Sequence, residues 1–149
     1  MLKTKIAVFV SGGGTNFEAL INAQENGKIP HGEIVLMVSS SRTAYALKRA
    51  ENHGIKSVVC SKKELGSQEK FEEEILKNLE ENDIQLIVLA GFMSILSNEF
   101  TKKYENRIIN IHPSLIPSFC GEGFYGLHVH EAALKKGVKV TGATVHIVN

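Results

Sequence analysis

The 149-residue chain has no tryptophan, two cysteines, three prolines and, among its 16 acidic residues, a single aspartate, Asp83. Cys60 and Cys120 lie far apart without a C-x-x-C pairing, so they form neither a disulfide framework nor a zinc half-site and read as free thiols. Charge of one sign is lacking too: 17 Lys and Arg against 16 Asp and Glu leave +1. Bulk attraction to nucleic acid or to an anionic membrane is thereby excluded, and any anionic ligand must be held locally. Apolar runs such as residues 84–93 are broken by polar residues and fall far short of the roughly 20 that span a bilayer. The start, Met1-Leu2-Lys3-Thr4-Lys5, is basic, yet the apolar stretch after it ends in glycines without an A-x-A-like cleavage site, which predicts a cytoplasmic chain. What is present, 43% apolar and 22% charged residues, is ordinary for one globular domain with a sizeable core.

Periodicity supplies the fold class. Residues 5–10 form a β-branched, apolar run that ends at three glycines, and Phe17, Leu20 and Ile21 follow at helical spacing from Asn16. Residues 33–39 repeat the strand signal. Thr43 then suits the N-cap of a helix running to about His53, closed by Gly54 at C′. Residues 57–60 read as a third strand, and Ser67 as the cap of a helix to about Asn82 whose apolar stripe is Phe71, Ile75, Leu76 and Leu79, its remaining charged positions facing water. Residues 86–89 and 107–111 are further strands, separated by a short helix near residues 98–104; a helix near 129–136 and a strand over 138–148 are expected after a long loop punctuated by Pro113, Pro117, Gly121, Gly123 and Gly126. Strands alternating with helices predict an α/β fold with a doubly wound, mostly parallel sheet, and one domain over residues 1–149.

Two segments carry chemistry. Ser11-Gly12-Gly13-Gly14-Thr15-Asn16 joins the first strand to the first helix, where glycines let backbone N–H groups approach an anion at the positive end of the helix dipole. It is neither a dinucleotide fingerprint, because Phe17 stands where the third glycine would fall, nor a Walker A loop. It can be a phosphate cradle or simply a tight turn; ligands of open α/β sheets favour the first. The second segment is Asn110-Ile111-His112-Pro113-Ser114-Leu115-Ile116-Pro117. Residues two apart on a strand point the same way, so Asn110 and His112 offer an amide that can hold an oxyanion and an imidazole that can pass a proton near neutral pH. Taken singly, His112 reads equally as a strand-end histidine held by prolines. Gly91-Phe92-Met93-Ser94-Ile95-Leu96 can be core at a strand end or one wall of a flat heterocycle pocket. His128 and His130, with His112 and Cys120, have ligand-like spacing, but the chain's single aspartate, Asp83, lies far from this region, and no metal is expected.

Val88-Leu89-Ala90-Gly91-Phe92-Met93 followed by Asn110-Ile111-His112-Pro113-Ser114-Leu115, with the loop Ser11 to Asn16 and the segment Thr141 to His146, resembles the folate-dependent phosphoribosylglycinamide formyltransferases along the whole chain. The resemblance implies a Rossmann-like formyltransferase fold and transfer of a formyl group from 10-formyltetrahydrofolate, as co-substrate, to the amine of glycinamide ribonucleotide in de novo purine biosynthesis. By the same resemblance Gly14, Thr15 and Asn16, with Gly13, hold the substrate phosphate. Met93, Ser94, Ile95 and Leu96 line the folate pocket, to which Asn110 and Gln68 also contribute. Asn110 binds the formyl oxygen, and His112 donates a proton to the tetrahedral intermediate. Ser94 stands where many members carry Arg, Gln68 falls near another common Arg, and the loop 119–125 is longer than in the shortest members. The family's catalytic Asp and C-terminal elements have no match before Asn149, so the resemblance implies a domain incomplete at its C-terminal end, impaired turnover and association through exposed surface as a homo-oligomer. The alternative is a non-catalytic module that binds a phosphate or ribonucleotide. Neither nucleic acid nor membrane is an expected partner.

Overall fold

The computed structural model describes residues 3–111 and 145–147. Five parallel strands, β1 (Thr4–Val10), β2 (Gly32–Ser39), β3 (Lys56–Val59), β4 (Leu86–Ala90) and β5 (Ile108–Ile111), are joined at one edge by the antiparallel β6 (Val145–Ile147). The order is β3-β2-β1-β4-β5-β6. From β1 the chain steps outward to β3, then returns to the other side of β1 with β4. This is the expected doubly wound, mostly parallel sheet, and its switch point lies between β1 and β4. The helices are α1 (Thr15–Glu25), α2 (Ala46–Asn52), α3 (Lys62–Leu65), α4 (Gln68–Glu81) and α5 (Asn98–Lys103).

Apolar side chains alternate across β1 because both faces of the sheet are covered. Ile6, Val8 and Val10 pack in one buried cluster with Phe17, Leu20 and Ile21 of α1 and Ala46 and Ala50 of α2. Ala7 and Phe9 belong to another, with Phe71, Ile75 and Leu79 of α4 and Phe100 of α5. Helices therefore lie on both sides of one sheet, and every parallel strand ends on the same rim.

Several local expectations need adjustment. The helix assigned to a Thr43 cap begins at Ala46 instead, with Tyr45 at the N-cap position. Thr43 is engaged earlier: its Oγ1 lies 3.0 Å from Ser41 Oγ and its N–H donates to that same oxygen at 3.3 Å, so the hydroxyl closes a turn. Gly54, with φ +68°, does follow the C-cap His53. α3 is an addition to the expected elements, although its Ser61 cap, accepting the Glu64 N–H, and its left-handed Gly66 closure stand in the sequence. Ser67 caps α4 as expected. Of the strand expected over 138–148, Val145–Ile147 is described; the long loop after Pro113, the helix near 129–136 and Cys120 lie outside the described residues. Cys60 is a free thiol, buried and pushed up to about 12 by that burial and by Glu74.

Candidate active site

The loops leaving β1 and β4 meet at the switch point, where open α/β sheets take their ligands. The Ser11 N–H donates to the Gly91 carbonyl at 3.2 Å, and the Met93 N–H donates to Ser11 Oγ at 2.8 Å. Ser11 Oγ also lies 2.6 Å from Ser40 Oγ, beyond β2. One hydroxyl therefore joins three strand ends. It lay inside the glycine loop singled out from sequence, but its role depends on which strands are neighbours.

Gly14 opens α1 from the left-handed region, φ +78° and ψ +30°, and no side chain caps the helix. A Cβ at Gly14 would lie 2.7 Å from the Ala46 Cβ, so this glycine is also required where the loop packs on α2. Gly12 and Gly13 have open space around them. Thr15 is exposed and Asn16 is buried in the first turn of α1. From α2, the Ala46 N–H donates to the Gly12 carbonyl at 3.3 Å and Arg49 Nε to the Gly13 carbonyl at 2.7 Å. Arg49 also donates to Glu18 Oε1 at 3.3 Å and stacks over the Tyr45 ring at 5.0 Å. His53 Nε2 sits 2.6 Å from the other Glu18 oxygen and its Nδ1 3.2 Å from Glu25. The hydrogen bond to Glu18 holds the His53 pKa above its ordinary value against the opposing effect of burial, with Glu25 adding to the rise.

The second loop is anchored from beneath and apolar on top. Gly91 turns with φ +71°, and Phe92 meets Phe9 edge-to-face at 5.3 Å between ring centroids. Met93 and Ile95 then stand 82% exposed, an apolar ledge beside the glycine loop. Gln68 Nε2 donates to the Ile95 carbonyl at 2.9 Å and to Glu72 Oε2 at 2.7 Å. Glu72 in turn accepts the Ser97 N–H and hydroxyl, both at 2.6 Å. Burial pushes the Glu72 carboxyl up, but the hydrogen bonds from Ser97 and Gln68 outweigh it and hold its pKa below the ordinary range. Charged positions of α4 were expected to face water; Glu72 departs from that because the loop beyond β4 folds back over it. Gln68 thus meets the Met93 to Leu96 loop as a brace. A groove of about 700 Å³ between α4 and α5 has Glu69, Glu73 and Glu99 in its walls against a single cation, Lys103, and so is mainly acidic.

Asn110 sits near the end of β5, in register with Leu89 of β4 and His146 of β6. It is half-buried, and its amide makes no hydrogen bond to another described residue. His112, next in sequence after Ile111, lies outside the described residues, as do His128 and His130. Among the described residues no cluster of three His, Cys, Asp or Glu could hold a metal ion. Asp83 has no part in the site: it lies in the turn before β4, 80% exposed and 3.8 Å from Lys5 at the start of β1, on the opposite rim of the sheet. The rim thus offers a glycine loop, an apolar ledge and an amide that bonds to no other described residue. Such a set suits a phosphorylated substrate, a flat heterocycle and an oxygen that gains negative charge.

A family model described as formyl transferase matches residues 4–149. The chain is 47% identical over 146 residues to the trifunctional purine biosynthetic protein adenosine-3 of Gallus gallus, covering 98% of this chain and 14% of that protein. It is 35% identical over 148 residues to the chloroplastic phosphoribosylglycinamide formyltransferase of Arabidopsis thaliana, covering 99% of this chain and 50% of that protein. The chain thus spans half or less of the length of these relatives. Among solved structures, phosphoribosylglycinamide formyltransferase from Bacillus halodurans superposes with a TM-score of 0.73 at 36% identity, covering 98% of this chain and 72% of that one. Glycinamide ribonucleotide transformylase 1 from Geobacillus kaustophilus does so with a TM-score of 0.72 at 33% identity, covering 99% and 80%.

Proposed function

The chain belongs to the formyl transferase family, among the phosphoribosylglycinamide formyltransferases, and from that premise we propose that it serves transfer of a formyl group from 10-formyltetrahydrofolate to the amine of glycinamide ribonucleotide in purine biosynthesis. The observation that carries this reading is the hydrogen bond from the Met93 N–H to Ser11 Oγ, which sets an anion-accepting loop against an apolar ledge on one rim. Gly13, Gly14, Thr15 and Asn16 take the phosphate through backbone N–H groups at the start of α1. Met93, Ser94, Ile95 and Leu96 take the flat ring of the folate, whose formyl group is the only chemistry the co-substrate supplies. The exposed side chains of Met93 and Ile95 fit an apolar, planar partner.

Asn110 holds the formyl oxygen by its amide N–H₂ as negative charge develops there, and an amide at the end of β5 that makes no hydrogen bond to another described residue supports that role. His112, one residue past the strand, supplies the proton, a role that rests on the sequence motif. We place this reaction in the cytoplasm, in line with the sequence reading; β1 is a central strand of the sheet, buried over residues 6–10. Among the described residues no helix is long and apolar enough to cross a membrane.

The test is turnover of the purified chain with both substrates, following tetrahydrofolate release by absorbance and the formylated ribonucleotide by mass. Product is expected, and Asn110→Ala and His112→Ala should each cut kcat by about 10² to 10⁴. Tight binding of the ribonucleotide by calorimetry with no turnover would instead make the chain a non-catalytic ribonucleotide-binding module.

A further inference from the structure

We propose that Arg49 is a positioning residue that aims the glycine loop, making α2 the template on which the phosphate site is set; this rests on the reading of that loop as the phosphate site. In a trans peptide the carbonyl of one residue and the N–H of the next point in opposite directions, and no cis peptide is present among the described residues. Two successive carbonyls of the loop are taken up by α2: Gly12 by the Ala46 N–H at 3.3 Å and Gly13 by Arg49 Nε at 2.7 Å. The N–H groups of the same two peptides, those of Gly13 and Gly14, are thereby turned away from α2. Neither donates to another described residue. Successive N–H groups turned to one side, with the second residue left-handed, make an anion-binding nest, and Gly14 has φ +78°.

The Ala46 contact is backbone and will form in any sequence that starts a helix there. The Gly13 contact depends on one side chain. A glycine peptide without it is free to rotate, since open space surrounds Gly13. Arg49 is itself fixed on two sides, by Glu18 Oε1 at 3.3 Å and by the Tyr45 ring at 5.0 Å. Glu18 lies in the first turn of α1, the helix whose start the loop forms, so carbonyl, guanidinium and carboxylate close a ring around Gly14. The fork of an arginine can hold the carbonyl and the carboxylate together; an ammonium has no such fixed geometry. With Glu18 beside it the guanidinium contributes orientation more than net charge.

Calorimetry with glycinamide ribonucleotide and with its phosphate-free riboside tests this in the whole chain. The unmodified chain should prefer the ribonucleotide. Arg49→Met should lose about ten- to a hundredfold in ribonucleotide affinity, the range expected when a hydrogen bond to a charged donor is removed, while riboside affinity stays within about twofold. Arg49→Lys should recover only part of the loss. A preference for the ribonucleotide that persists undiminished in Arg49→Met overturns the proposal, and full recovery by Arg49→Lys makes charge, not aim, the cause. If the unmodified chain shows no preference, the phosphate reading itself falls. Should Arg49→Met fail to fold, Glu18→Gln replaces it: a smaller loss confined to the ribonucleotide supports the proposal, and equal loss for both ligands overturns it.

Discussion

Ser11 Oγ accepts the N–H of Met93 at 2.8 Å, so the glycine loop after β1 and the loop after β4 are one hydrogen-bonded unit. At this point they are joined by that serine hydroxyl, which also reaches Ser40, and by the Ser11 N–H donating to the Gly91 carbonyl at 3.2 Å. Ser11→Ala should leave the Met93 N–H without its partner and loosen the two loops, which keep the backbone bond from residue 11 to the Gly91 carbonyl. We expect KM to rise about three- to tenfold for both substrates, the equivalent of one ordinary hydrogen bond. Steady-state kinetics varying each substrate in turn would show it; a rise for only one would mean that the loops were already independent.

Gly14 and Gly13 are neighbours with opposite tolerances. Gly14→Ala places a Cβ 2.7 Å from that of Ala46 and forces an L side chain to φ +78°. The left-handed backbone and the overpacking together should cost about 2–4 kcal/mol of stability. Gly13→Ala meets open space and should cost less than about 1 kcal/mol. Urea unfolding of the two variants reads the difference directly, and equal losses would show that α2 yields to the added methyl.

Glu72 accepts two hydrogen bonds from Ser97 and one from Gln68, and these hold the loop after β4. Glu72→Ala should destabilise the chain by about 1–3 kcal/mol through unpaired donors and raise the KM for folate more than that for the ribonucleotide. The Glu72 pKa is depressed in the folded chain. Its contribution is therefore present above the unfolded carboxyl value of about 4.3 and fades as pH falls through the lower folded value. Unfolding curves across the acid range should converge for the parent and Glu72→Ala; parallel curves would remove Glu72 from the account.

His53 behaves with the opposite sign. Its pKa is raised by Glu18, so its stabilising charge is complete below the ordinary imidazole value of about 6.5 and is lost as pH rises through the higher folded value. His53→Gln should thus be less stable than the parent in mildly acidic solution, with the gap closing above neutrality. Proton NMR titration of the imidazole checks the direction: a midpoint at or below the ordinary value would contradict it.

The order of strands and helices was legible because buried parallel strands must be apolar on both faces and amphipathic helices must carry a stripe, and both patterns survive in residues 5–10 and in Phe71, Ile75 and Leu79. The glycine loop and Asn110 could be singled out for the same local reason: both stand at a strand end, where open α/β sheets take their ligands. The cap at Thr43 was misplaced because a hydroxyl that suits a helix cap also suits a turn, and local sequence does not choose between them. Ser11, Glu72 and Arg49 were beyond reach as site residues. Each acts on a segment distant in sequence, Ser11 on Met93, Glu72 on Ser97 and Arg49 on Gly13. Those pairings exist only once the order β3-β2-β1-β4-β5 has put the end of β4 beside that of β1 and laid α2 against the start of α1. Sequence by itself determined which segments are strands and, apart from the one-turn α3, which are helices, because those depend on each residue's own chemistry. The aim of the loops was decided by tertiary structure, because a hydrogen bond has a direction only when both partners are in place.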